Sequence, residues 1–129
     1  MSIAFLSLSE VLDLHQDQIA RYGGEPGTRD LNLLRSAVGM PAATFDGNYL
    51  HVDLFEMAAA YLFHLVQNHP FVDGNKRTGT MAAYAFLALN GYELRAPSGA
   101  LVDFVMALAS GKRTKTDAAQ FFRKHVRPL

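Results

Sequence analysis

One run of sequence constrains the fold more than any other. Residues 75–90, "NKRTGTMAAYAFLALN", become apolar on nearly every side from Met81 onward. A helix at a protein surface shows a single apolar stripe, whereas a helix that is apolar all round must be enclosed by other elements. The run therefore predicts a central, buried helix, which ends at Gly91. The chain has 129 residues, enough to surround such a helix within one domain spanning 1–129.

Helical patterns also dominate the rest of the chain. Residues 7–21 begin with an S-x-x-E capping box formed by Ser7 and Glu10, and a Gly-Gly pair follows them. Apolar spacing or helix signals favour four more helices, at 29–38, 51–67, 99–109 and 115–126. Residues 39–50 contain a proline and an Asp-Gly pair, which indicate a loop or a small hairpin. The predicted class is all-α.

Composition excludes several classes of protein. The chain has no cysteine, which removes disulfides, Cys-ligated metals and thiol nucleophiles and is compatible with a reducing compartment. No apolar run is long enough to predict a membrane span. The first residues, "MSIAFLSLSEVLDLHQ", lack the basic start of a signal peptide. A cytoplasmic protein with no membrane partner is expected.

The charges are unevenly distributed although their sum is zero. Residues 1–60 carry eight acids and three bases, whereas residues 112–129 carry six bases and one acid, Asp117. The asymmetry suggests different partners at the two ends, and it also fits a solvated helix face. Nucleic-acid binding would require a larger basic surface with interleaved aromatic residues, so direct binding of nucleic acid is not expected.

The stretch "HPFVDG", residues 69–74, comes directly before the predicted central helix. A helix N-terminus has unpaired backbone N–H groups and the positive end of the helix dipole, which together suit an anion. Gly74 lets the backbone approach a ligand closely. Lys76 and Arg77 add cations where the dipole alone disfavours them, which favours a bound anion such as phosphate.

Two further side chains in this stretch suit nucleotide-phosphate chemistry. Asp73 could hold Mg²⁺, which prefers carboxylate and phosphate oxygens. The imidazole of His69 could accept a proton from a hydroxyl group at neutral pH. A structural alternative stays open, in which Asp73 or Asn75 is simply the N-cap of the helix.

Two other kinds of site fit the sequence poorly. A phosphate loop of the form G-x-x-x-x-G-K-[ST] is excluded, because Thr80 follows Gly79 directly and no strand is predicted before Gly74. The other histidines lack zinc-site spacing and are expected to be packed or on the surface: His15, His51, His64 and His125.

The segment "HPFVDGNKR", residues 69–77, resembles the Fic signature H-P-F-x-[D/E]-G-N-[G/K]-R at every defined position. Residues 21–38, "RYGGEPGTRDLNLLRSAV", resemble the Doc (death-on-curing) toxin branch of that family. The resemblance implies a Fic-fold helical bundle with a hairpin flap at 41–50 lying over a target peptide. It also implies roles for seven residues: His69 as the base, Asp73 as the Mg²⁺ ligand, Gly74, Asn75 and Lys76 as the phosphate cradle, Arg77 as the phosphate clamp, and Phe71 as the core anchor.

Two positions bear on which group would be transferred. Adenylylating Fic enzymes have Gly where this chain has Lys76, and a second Arg where it has Thr80. Doc-branch proteins share the Lys and resemble kinases that pass the γ-phosphate of ATP to elongation factor Tu and arrest translation. The resemblance thus implies an ATP- and Mg²⁺-dependent phosphotransferase, the toxin of a type II toxin–antitoxin system. AMP transfer and a non-catalytic binding module remain alternatives.

The source of inhibition can also be predicted. Fic enzymes often carry an inhibitory [S/T]-x-x-x-E-[G/N] motif, but no Glu in this chain is followed by Gly or Asn. If the activity is toxic, the inhibitor must be a separate chain. The Doc resemblance implies a Phd-type antitoxin as that partner.

Overall fold

The computed structural model describes residues 2–97 and 99–129, and the chain forms six α-helices within them. The helices are α1 (Leu8–Tyr22), α2 (Leu31–Gly39), α3 (Leu54–Asn68), α4 (Asn75–Leu89), α5 (Ala100–Ala109) and α6 (Lys115–His125). A short 3₁₀ helix, Met40–Ala42, follows α2. Two small antiparallel pairs join β1 (Thr44–Phe45) to β2 (Asn48–Tyr49) and β3 (Tyr92–Leu94) to β4 (Val126–Pro128). The predicted all-α class is confirmed.

Local signals set the bounds of α1. The Ser7 hydroxyl accepts a hydrogen bond from the Glu10 N–H at 3.1 Å, and the Glu10 carboxylate accepts one from the Ser7 N–H at 2.9 Å. This is the predicted capping box. The helix ends at Gly23, whose φ of 83° is costly for residues with a side chain.

The core is built around α3 and α4. Helix α3 packs against α2, α4 and α6, and its residues from Met57 to Leu62 are fully buried. Helix α4 buries Phe86 and Leu87 completely, whereas Tyr84 is 39% exposed. The predicted central helix α4 therefore has one solvent-facing side. Helix α3 is the more enclosed of the two, since its only exposed residue is Gln67.

The predicted hairpin is present, and it lies next to the N-terminus of α3. Asp46 and Gly47 both have positive φ at its turn, as expected for an Asp-Gly hairpin. The hairpin precedes the N-terminus of α3, whereas His69 follows its C-terminus, so about 20 Å of helix separates them. Tyr49 of β2 instead packs on Phe5, with ring centroids 5.8 Å apart. The predicted role of the hairpin as a flap over a target peptide stays a prediction.

No helix in the described part of the chain has both the length and the apolar character needed to cross a membrane.

A polar cluster joins α6 to α3. The Lys115 ammonium donates to His51 Nε2 at 3.0 Å and to His64 Nε2 at 3.2 Å. Burial, and then the charge of Lys115, lower the pKa of His64 from 6.5 to about 4 and also lower the pKa of His51. Both histidines are packed, as the sequence predicted.

This cluster predicts a loss of stability in mild acid. Unfolded chains protonate His64 near pH 6.5, whereas the folded protein leaves it neutral down to about pH 4. The free energy of unfolding should therefore fall as the pH drops through this window, by about 1 kcal/mol from His64, since the side chain is only half-buried and solvent screens its charge. Urea unfolding at several pH values would measure it. A His64→Gln variant with the same pH dependence would contradict the prediction.

Candidate functional site

The residues between α3 and α4, here called the motif loop (residues 69–74), are held by a second backbone segment. The N–H groups of Arg29 and Asp30 both donate to the Pro70 carbonyl, at 2.7 and 3.0 Å. The Val72 N–H donates to the Gly27 carbonyl at 3.0 Å, and Thr28 forms a β-bridge with the loop. The segment that lies on the loop is therefore the connection between α1 and α2.

His69 stands at the C-terminus of α3 in a strained conformation. Its φ is 48°, in the left-handed region that residues other than Gly rarely adopt. Arg29 stabilises this end of the helix, because its Nε donates to the His69 carbonyl at 2.7 Å and its Nη2 to the Asn68 carbonyl at 3.0 Å. The sequence pattern does not reveal this role, although Arg29 lies within the segment that resembles the Doc branch.

Phe71 anchors the loop in the core, as predicted, and is fully buried. Its ring stacks on His15 of α1, with centroids 3.7 Å apart and planes 3° from parallel. His15 Nε2 donates to the Asp73 carbonyl at 2.8 Å. The prediction that His15 is packed was right, but its contact with the loop was not foreseen.

Asp73 presents an ionised carboxylate at the surface. Its oxygens accept hydrogen bonds from the backbone N–H groups of Glu25 (3.2 Å) and Gly74 (2.8 Å). These two bonds, in that order, lower the pKa of Asp73, and the nearby Arg77 charge adds a smaller effect. The described residues contain no cluster of three or more His, Asp or Glu that could hold a metal. A lone carboxylate fits Mg²⁺, which takes its other ligands from phosphates and water.

The N-terminus of α4 has no side-chain cap. The N-cap is Gly74, with φ 77°, so the interpretation that Asp73 or Asn75 caps the helix was wrong. Asp73 is turned towards the Gly74 N–H and the α1–α2 connection, while the Asn75 amide is turned back onto Phe71. The first turn of α4 therefore keeps backbone N–H groups available to an anion.

All six predicted site residues lie around one cavity of about 300 Å³. Its lining consists of His69, Asp73, Gly74, Asn75, Lys76 and Arg77, with Val66 and Ala109. The structure thus brings together an imidazole, a carboxylate, two cations and an open helix N-terminus.

Besides lining the cavity, Arg77 makes a hydrogen bond that the sequence did not reveal. Its Nη2 donates to the Gly23 carbonyl at 2.9 Å, at the C-terminus of α1. The partial negative charge at that helix end offsets part of the guanidinium charge. On the next turn, the Thr80 hydroxyl donates to the Lys76 carbonyl at 2.8 Å, so it is turned onto its own helix.

An apolar pocket of about 280 Å³ adjoins the cavity and shares Lys76 and Arg77 with it. Helix α5 forms its other side. Two lining residues of α5 are well exposed, Val102 at 64% and Met106 at 53%. This pocket gives the cationic end of the cavity an apolar neighbour.

Comparison with known proteins identifies the family. The sequence model of the Fic/DOC family matches residues 5–87, which include the whole motif loop and most of α4. The chain belongs to the Fic/DOC family.

Two curated relatives of this Fic/DOC protein carry Doc names. It is 34% identical to "Protein kinase doc" of Escherichia phage P1 over 119 residues, which are 92% of this chain and 93% of that protein. It is 48% identical to "Toxin Doc" of Mycolicibacterium smegmatis over 75 residues, and this match spans 58% of each protein. The resemblance seen in the sequence is confirmed.

Proposed function

We propose that this Fic/DOC protein is the toxin of a type II toxin–antitoxin system, and that it phosphorylates a hydroxyl group of a translation factor similar to elongation factor Tu. One observation carries the proposal: the uncapped N-terminus of α4, Lys76, Arg77, Asp73 and His69 all border one cavity. Two relatives add support, since one is named a toxin and the other a protein kinase. Such a target would place the protein in the cytoplasm.

The proposed role of the cavity is to hold the phosphates of ATP. The free N–H groups of α4 and the side chains of Lys76 and Arg77 would bind phosphate oxygens. Gly74 keeps the approach to these N–H groups free of a Cβ atom. Asp73 would hold Mg²⁺, which would neutralise charge on the phosphates.

The proposed reaction assigns one chemical step to His69. The hydroxyl oxygen of the target bonds to the γ-phosphorus of ATP, the bond from that phosphorus to the β,γ-bridging oxygen breaks, and ADP leaves. His69 accepts the hydroxyl proton as the new bond forms. Positioning and charge neutralisation by the cavity would provide most of the rate enhancement, as in other phosphoryl transfers.

AMP transfer is the second candidate, because the motif from His69 to Asn75 matches the Fic signature without interruption. Two features favour phosphoryl transfer. Lys76 brings a cation to the cavity at the position where adenylylating enzymes have Gly, and the Thr80 side chain provides no second cation on the next turn.

ATP labelled at the γ-phosphate, incubated with this protein and a bacterial extract, should label one dominant protein. Loss of the label on removing Mg²⁺ with EDTA is expected, and no labelled protein at all would contradict the proposal.

A separate Phd-type antitoxin is the proposed inhibitor. An apolar segment with acidic residues would fit the pocket between α4 and α5, because Lys76 and Arg77 border one side of it. A peptide from the C-terminal part of such an antitoxin should inhibit transfer. The peptide should inhibit a Val102→Glu variant less well, because the added carboxylate repels an acidic peptide. Equal inhibition of the variant and the wild type would exclude this pocket as the binding site of the antitoxin.

The close approach of Gly24 to the cavity predicts a sharp effect of one methyl group. A Cβ at Gly24 would lie 2.8 Å from Asp73 Oδ2 and 3.1 Å from Arg77 Nη2, so both side chains would have to move. Gly24→Ala should weaken Mg²⁺-dependent ATP binding roughly tenfold or more, the cost of about one charged hydrogen bond. Gly23→Ala is the matched control, since Gly23 also has positive φ but nothing lies within 4 Å of its Cβ position. Equal losses of ATP affinity for the two variants, measured by titration calorimetry, would refute the prediction.

A further inference from the structure

The side chain of Asn75 is buried inside the motif loop, at 4% exposure. Its Oδ1 accepts a hydrogen bond from the Phe71 N–H at 2.9 Å. Its Nδ2 donates to the Phe71 carbonyl at 3.0 Å, and the same nitrogen lies 3.1 Å from Nδ1 of His69. Both hydrogens of the amide are therefore used within the loop, and none is left for a phosphate.

These contacts allow only one orientation of the Asn75 amide. Exchanging its oxygen and nitrogen would place the NH₂ group against the Phe71 N–H and the oxygen against the Phe71 carbonyl. Both contacts would then be repulsive in a buried site. The backbone of Phe71 therefore fixes a hydrogen-bond donor opposite Nδ1 of His69.

A donor at this position determines the state of the His69 ring. A neutral imidazole carries one proton, and the nitrogen without it is the acceptor. Because Nδ1 accepts from Asn75, the proton of neutral His69 lies on Nε2. We propose that Asn75 is a positioning residue which holds His69 in the Nε2–H tautomer in the free protein.

The tautomer affects catalysis only if His69 is the base, so this consequence rests on the proposed function. With Nδ1 engaged and Nε2 protonated, His69 can donate a hydrogen bond but cannot take a proton from a hydroxyl group. The ring must leave Asn75 before it acts as a base, for example by rotation about its Cβ–Cγ bond. The His69 side chain is exposed, so such a rotation meets little packing. Substrate binding would thereby be coupled to the release of the base.

Nitrogen-15 NMR of the labelled protein at neutral pH tests the tautomer without any assay of activity. The expected spectrum has a protonated-type shift at Nε2 of His69, an unprotonated-type shift at Nδ1, and a scalar coupling across the hydrogen bond from Asn75 Nδ2 to Nδ1. A proton on Nδ1 of His69, or averaged shifts at both ring nitrogens with no coupling, would overturn the proposal. This result stands whether or not the protein proves to be a phosphotransferase.

The Asn75→Ala variant provides a second test of the tautomer by the same NMR measurement. Its His69 signals should lose the coupling and move towards the average of a freely exchanging imidazole. His15 is an internal control in the same spectrum, because its Nε2–H is held by the Asp73 carbonyl. Unchanged His15 signals would show that the loop is still folded; unchanged His69 signals in that folded variant would refute the role of Asn75. If the variant does not fold, the wild-type coupling still decides the question.

Discussion

Replacing His69 by Asn is expected to lower the rate of transfer by about 10²- to 10⁴-fold, the usual contribution of a general base. Asn is the suitable replacement because it tolerates the left-handed backbone at this position better than most residues. The fold should therefore survive while the proton acceptor is lost. The measurement is the initial rate of label transfer from ATP to the target protein, together with a thermal unfolding curve.

The matched control is His125→Asn, which changes a histidine at the end of α6 that does not line the cavity. It should leave the transfer rate unchanged. If the His69→Asn variant transferred label at the wild-type rate, His69 would not be the base. If that variant also arrested growth like the wild type, the alternative of a non-catalytic binding module would replace the enzyme proposal.

Replacing Phe71 by Ala is expected to lower the free energy of unfolding by about 3 to 5 kcal/mol, as for other fully buried aromatic residues. Phe71 is 0% exposed and stacks on His15, so its removal leaves a cavity between the motif loop and α1. Activity should fall together with stability, because the backbone of Phe71 also holds the Asn75 amide. Chemical denaturation gives the stability directly.

Phe45→Ala serves as the control, since Phe45 lies in the hairpin and is 74% exposed. It should change stability by no more than about 0.5 kcal/mol. Similar losses of unfolding free energy in the two variants would show that Phe71 is not an anchor of the loop.

The features predicted correctly depend on neighbours in the sequence. The start of α1 is set by Ser7 and Glu10, three residues apart, and the turn of the hairpin by the adjacent Asp46 and Gly47. The cavity residues from Asp73 to Arg77 follow one another on a loop and the first turn of a helix, so their spacing alone placed them together. Apolar spacing was sufficient for the bounds of most helices.

The features missed depend on packing between distant segments. Arg29 contacts the carbonyl of His69 across 40 residues of sequence, and His15 reaches the Asp73 carbonyl across 58. The N-cap interpretation failed for the same reason, because the Asp73 carboxylate is partly held by the Glu25 N–H, 48 residues away. Nothing in the local pattern indicates such partners.

The most direct test of the proposed chemistry asks which phosphate of ATP is transferred. Two reactions with purified elongation factor Tu as the target would run in parallel, one with ATP labelled at the α-phosphate and one with ATP labelled at the γ-phosphate. The side chains of Lys76 and Thr80 favour phosphoryl transfer, so label should reach the target only from the γ-position. Label arriving only from the α-position would contradict this account and establish AMP transfer.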